Sequence, residues 1–400
     1  MILLNSSQQL ILFISAAGVI QAVILAGLLF FHPKSDRSVT SFLSLHVLTV
    51  SIFMLMPVLQ YFFFWQSIIL LVPFQFLIGP FLYLYLLSFK GTIKWRKAWP
   101  HFLLFALFLL INLPVYSGWI KKYPASATIP EELLFEPISV IQIMIRNVQM
   151  LVYYLLARRV LSSYQKTIHH LYSETSKINL IWVRWLLNGF LLLIITVLIL
   201  AIFVFRYPER FSLLILINTA IITPYIYFIA LKGLGQPTLW QIQPDKNKEK
   251  IEKEMFEAEK IETFKIEEKG SQPVIKGLPE TKTAEIISRI IQLMEKDKLY
   301  QEPDLTLSAL SDKLEIHSYQ ASQAINDRLK KNFYDLVNGY RVDEAKRLLL
   351  NPKNRNYTIL SVGFEAGFNS KTTFNTVFKK FTGLTPTEFR DQQKMKTELV

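Results

Sequence analysis

Amide and lysine side chains near the C-terminus fall into two sets whose spacing suits contact with duplex nucleic acid. Gln320, Gln323, Lys371 and Asn375 supply the donors and acceptors that pair with base edges in a major groove. Lys330, Lys331, Lys379 and Lys380 supply cations for phosphates. Ser318, Tyr319, Ser370, Thr372 and Thr376 complete the two polar faces.

Both sets need helices to present them. Thr306 predicts an N-cap for a helix carrying Leu307, Leu310 and Leu314. A turn over 315–318 leads to a second helix, over 318–329, that buries Ala321 and Ile325. The pattern recurs about 52 residues later. Thr358 caps a helix with Ile359, Val362 and Ala366, and Gly367-Phe368-Asn369 makes the turn. The helix over 370–381 buries Phe374, Val377 and Phe378. Thr385-Pro386-Thr387-Glu388 then opens a last helix with a capping box. Between the two units, 332–350 reads as one helix with Phe333, Val337, Tyr340, Ala345, Leu348 and Leu349 on a stripe. It spans about 28 Å, and successive major grooves lie roughly 34 Å apart, so one chain can address two grooves. Amphipathic helix pairs also occur in domains that bind no DNA. The twofold recurrence of spacing and turn residues favours the reader.

The rest of the chain differs in character. Of the 400 residues, 51% are hydrophobic and 14% aromatic, and the net charge is +13. That basic balance suits nucleic acid and an anionic membrane surface. The chain has no cysteine, which excludes disulfides, thiolate metal sites and cysteine nucleophiles. Residues 1–235 are strongly apolar and hold seven stretches near the length that spans a bilayer, at 10–31, 40–62, 68–87, 101–116, 138–156, 185–205 and 211–231. The fourth is short and meets Pro114. No Lys or Arg precedes Lys34, so the first stretch reads as a span rather than a signal peptide.

Loop charge sets the expected orientation. With the N-terminus outside, Lys34, Arg37, Lys90, Lys94, Arg96, Lys97, Arg158, Arg159, Lys166, Lys177 and Arg184 fall inside. Lys121, Lys122, Arg206 and Arg210 fall outside, so the count is eleven against four. Seven spans then place the C-terminus in the cytoplasm of a bacterium, on the DNA side of its inner membrane.

Polar groups inside spans are costly and mark candidate sites. Gln142, Arg146, Asn147 and Gln149 interrupt the fifth stretch, with Arg146 about 12 Å from its outer end. They read either as a pocket for an anionic or carbonyl-bearing signal, or as a structural arginine bonded to backbone carbonyls of a neighbouring helix. Gln21, Gln60, Asn112, Asn188 and Asn218 read as inter-helix hydrogen bonders, and Pro57, Pro80 and Pro224 as kinks. The histidines lack metal spacing. No metal or cofactor is expected.

Past Pro237 the composition turns to Lys and Glu, and 236–280 reads as a charged linker. Residues 281–299 form an amphipathic connecting helix with Ile286, Ile287, Ile290, Ile291 and Met294 on one face. That face suits either packing on the C-terminal domain or pairing two chains into a homodimer. The expected organisation is therefore all-α: a seven-helix transmembrane bundle over 1–235, a linker, and a tandem helix-turn-helix DNA-binding domain over 300–394.

Residues 300–390 resemble the DNA-binding domain of the AraC/XylS transcription regulators. The resemblance rests on Leu305-Thr306-Leu307 with Leu310, Asn338-Gly339-Tyr340-Arg341 through Ala345 and Leu348-Leu349, Gly367-Phe368, Phe374, Phe378-Lys379-Lys380, Gly383, Thr385-Pro386 and Phe389-Arg390. It implies two reader helices, over 318–326 and 370–378, joined by one linker helix. Four positions depart from the family pattern. Ser311 replaces a small Ala, Glu315 a turn Gly, Ala321 a larger apolar residue, and Gly363 an Ala, the last a minor change. The first three predict a looser grip by the first unit. In architecture the whole chain is similar to the seven-span, membrane-tethered members of that family known from Bacteroidetes-type bacteria.

The expected function is a non-enzymatic transcription regulator that binds double-stranded DNA and senses an unidentified signal through a bilayer-embedded bundle. The alternative is a transporter or channel with a regulatory tail that binds nucleic acid or protein. It calls for internal repeats and broken helices with charged midplane residues. The chain shows no such repeat, and Arg146 is its one clear mid-span charge.

Overall fold

A computed structural model describes residues 6–31, 37–63, 66–123, 131–175, 180–207, 211–234, 278–354 and 356–398. The expected linker lies outside the described residues except at its last positions, as do residues 124–130. The described residues are helical and carry no strand beyond one isolated bridge. The chain divides into two compact units, Met1–Ser162 with Leu180–Lys248, and Ser163–Asn179 with Glu249–Val400.

The first unit holds α1 (Ser6–Phe31), α2 (Arg37–Phe63), α3 (Gln66–Leu71), a 3-10 segment (Val72–Leu77) and α4 (Ile78–Leu87). It continues with α5 (Trp95–Ala98), α6 (Leu103–Lys122), α7 (Glu131–Phe135), most of α8 (Pro137–Leu171), α9 (Ile181–Arg206) and α10 (Phe211–Leu234). Seven of its helical stretches are long and apolar enough to cross a membrane. They overlap the seven stretches expected from hydropathy. Large apolar side chains point outward from them, among them Phe13 at 73% exposure, Leu110 at 67% and Val148 at 63%. A water-facing surface rarely carries so many.

Two details differ from expectation. The fourth stretch does not end near Pro114, because α6 runs through that proline to Lys122. Among the described residues Pro57, Pro114 and Pro224 lie inside α-helices, and Pro80 is the third residue of α4, directly after the 3-10 segment. The fifth helix does not stop where its apolar run stops. It is 35 residues long, about 52 Å, against an apolar bilayer thickness of about 30 Å. Arg158 and Arg159 end the hydrophobic run without ending the helix.

The second unit contains α11 (Glu280–Glu295), α12 (Leu307–Leu314), α13 (Ser318–Leu329), α14 (Phe333–Leu350), α15 (Ile359–Glu365), α16 (Lys371–Thr382) and α17 (Pro386–Glu398). The apolar face of α11 (Ile286, Ile287, Ile290 and Met294) is buried, and the helix packs on α12 and α13. Packing on the C-terminal domain is one of its two expected uses. Arg328 on α13 pairs with Glu280 at 3.4 Å. The core joining α14 to α15–α16 includes Val342, Ala345, Val362, Phe368, Phe374 and Phe378.

Two departures from the family pattern acquire a structural meaning here. Glu315 has φ 58, a left-handed corner that an L side chain adopts at a cost of about 1 kcal/mol. Gly363 is not a minor change. A Cβ there would stand 2.7 Å from Cδ1 and 3.0 Å from Cγ of Phe374, which is fully buried. Gly367 has φ +95, and a Cβ on it would meet the Tyr300 carbonyl oxygen at 2.6 Å. Only glycine fits that turn.

Candidate nucleic-acid interface

Three of the helices, α12, α15 and α16, start on a side chain that accepts one of their first free N–H groups. Thr306 Oγ1 accepts from the Ala309 N–H at 3.1 Å, and Thr358 Oγ1 from Ser361 at 3.0 Å. Ser370 Oγ accepts from Thr373 at 3.1 Å and so starts α16. At the end of α16, Gly383 turns left-handed with φ 80. Thr385 and Glu388 then bond reciprocally, at 2.8 and 3.3 Å, to open α17. The result is two helix pairs, α12–α13 and α15–α16, on either side of α14.

The second polar face is the cleaner one. Lys371, Thr372, Thr376 and Lys379 are exposed along α16, with Asn375 half-buried among them. Thr373, Phe374, Val377 and Phe378 form the opposite, buried side. Ser370 is the cap and sits half-buried at the helix start. Lys380 is exposed but partly committed. Its ammonium pairs with Asp335 at 2.7 Å and lies over the rings of Tyr334 and Phe381.

On α13, Tyr319 is 41% exposed and stacks on His317, with Ser318 and Gln323 half-buried nearby. Gln320 has a second duty, since its Oε1 accepts from the His317 backbone N–H at 3.3 Å. Lys330, at φ 53, and Lys331 are exposed just past the C-terminal end of α13.

The linker helix hides a polar hub that the apolar stripe did not reveal. Arg341 is fully buried. Its Nε donates to the Tyr300 carbonyl at 2.7 Å, and its Nη2 to the Glu302 and Pro303 carbonyls at 2.7 and 3.2 Å. Nη1 donates to Asn338 Oδ1 at 3.4 Å. Burial pushes its pKa down to about 10, which leaves it charged at neutral pH. The sequence carries a signal for it, because Asn338 and Arg341 lie one helical turn apart and in register with the buried Ala345 and Leu348.

The four polar residues expected to line a pocket in the first unit do not all act together. Arg146, Gln142 and Gln149 are buried and reach other elements. Arg146 donates to Gln75 Oε1 and lies 5.7 Å from the Phe53 ring centroid. Gln142 donates to Asn112 Oδ1, and Gln149 Nε2 to the Phe76 carbonyl at 3.0 Å. Asn147 instead bonds the Ile143 carbonyl of its own helix at 2.7 Å. The seven apolar stretches contain no Asp or Glu, so none of them can supply Arg146 with a carboxylate.

Comparison with known proteins bears on the C-terminal geometry. Residues 310–392 match a family of helix-turn-helix domains. The C-terminal region is a helix-turn-helix domain. The chain is 28% identical over 110 residues to an uncharacterised HTH-type transcriptional regulator of Staphylococcus aureus (strain COL). The aligned part covers 28% of this chain and 14% of that relative. No solved structure matches the chain.

Proposed function

We propose that this protein is a membrane-bound, sequence-specific transcription regulator of the AraC/XylS type. In this reading the apolar helices cross the inner membrane of a bacterium, and the tandem reader works on the cytoplasmic side. The observation that carries it is the pair of capped helix-turn-helix units on α14, each with one buried and one polar helix face. The excess of lysine and arginine in the loops assigned to the cytoplasm supports the orientation.

The bundle is the sensing part. A ligand shifts a two-state protein only as far as it binds the two states differently. The cluster around Arg146 is the candidate place, because it sets a guanidinium among apolar helices without a carboxylate in them. Chromatin-type mapping of the tagged full-length protein tests the regulator reading. Enrichment at a small set of promoters sharing a sequence motif is expected, and uniform recovery of the genome contradicts it.

A further inference from the structure

The second unit includes a piece of chain from far upstream, Ser163–Asn179. It is the end of α8 and the start of the loop toward α9. Tyr172 forms an antiparallel bridge with Thr306, the cap of the first reader pair. The Ser173 N–H donates to the Leu305 carbonyl at 3.2 Å, and its Oγ donates to the same oxygen at 2.6 Å. Asn338 Nδ2 donates to the Ser173 carbonyl at 2.9 Å, and Arg341 Nη2 to Ser173 Oγ at 3.2 Å. Ser173 is fully buried by these contacts.

The next residue reaches the reader helix itself. Thr373 Oγ1, in the first turn of α16, donates to Glu174 Oε1 at 3.3 Å. The N-terminal end of a helix carries partial positive charge and favours an anion. It is also the part of a recognition helix that enters the groove between phosphates. A carboxylate held there is stabilised by the helix and repels the DNA backbone.

We propose that residues 172–175 form an autoinhibitory strap. Docked, the strap holds the Glu174 carboxylate at the start of α16 and weakens duplex binding by the second reader unit. DNA binding displaces it. The strap continues directly from α8, the helix that carries Arg146, and so gives the bundle a covalent route to the reader in addition to the 236–280 linker. The proposal rests on the DNA-binding reading.

The test uses full-length protein in lipid nanodiscs and a fluorescent mixed-sequence duplex of about 30 base pairs at about 50 mM salt, where non-specific binding is strong. Glu174→Gln is expected to bind about 3–10-fold more tightly than wild type, because a like charge near the phosphates is removed. In wild type, amide exchange at Ser173 is expected to speed up on duplex addition, a readout that needs no variant. Equal or weaker binding by the variant, or unchanged exchange at Ser173 in duplex-saturated wild type, overturns the strap. Absence of duplex binding by both proteins overturns the DNA-binding reading, and the strap with it.

Discussion

Arg341 Nη2 donates to Ser173 Oγ at 3.2 Å and so joins stretches of chain 168 residues apart. The same guanidinium ties three carbonyls ahead of α12 to α14. Replacing it by methionine keeps the bulk and leaves those carbonyls without their donor. Arg341→Met is expected to lower the opening free energy of α14 amides by about 2–4 kcal/mol, read by native-state hydrogen exchange. A loss below about 0.5 kcal/mol would mean the hub adds no stability.

Gly363→Ala tests the close approach of α15 to α16. Alanine is the better helix former by about 1 kcal/mol, so propensity alone predicts a gain. The Phe374 ring occupies the space the methyl needs. Overpacking of a fixed core costs about 1–3 kcal/mol, so the net expectation is a modest loss of α16 protection in the same exchange experiment.

Glu315→Gly has the opposite expected sign. The side chain is exposed and its backbone is left-handed. Glycine removes the steric cost and returns part of the gain through its looser unfolded state. A net stabilisation of about 0.5–1 kcal/mol of the α12–α13 pair is expected. Exchange protection at Leu314 and Ile316 would show it.

Glu344 predicts an acid-side sensitivity. Arg347 bonds both of its carboxyl oxygens, at 2.6 and 2.8 Å, and holds its pKa below the usual carboxylate value. A depressed folded pKa contributes stability that is present above the unfolded value of about 4.3 and fades as pH falls through the folded value. Melting of wild type against Glu344→Gln over about pH 3–6 should therefore show a wild-type advantage near pH 6 that shrinks below about pH 4.3. A gap that stays constant with pH would contradict the pairing.

The reader was legible because its signals are local. Thr306, Thr358 and the Thr385–Glu388 box predict helix starts, and each forms the expected bond. Phe374, Val377 and Phe378 predict the buried side of α16 by their spacing, and all three are buried. The misses are non-local or two-sided. Hydropathy marks where α8 leaves an apolar layer, and says nothing about where the helix stops. Ser173 and Glu174 look like ordinary loop residues, and their partners lie more than 130 positions away. Arg341 stands out in the sequence only through the run Asn338–Arg341, while its burial depends on carbonyls of residues 300–303 that no helical stripe encodes. The first-turn position of Gln320 is compatible with both a base contact and a cap, and the fold adds the cap.

Salt-dependent duplex binding tests the central claim most directly. The full-length protein in nanodiscs is titrated with duplex DNA at several salt concentrations. Log affinity is expected to fall linearly with log salt, with a slope set by the phosphates contacted, and Lys371→Ala is expected to flatten that slope by about 1. Binding that is absent at low salt, or a slope that Lys371→Ala leaves unchanged, would contradict a DNA reader that works through the exposed face of α16.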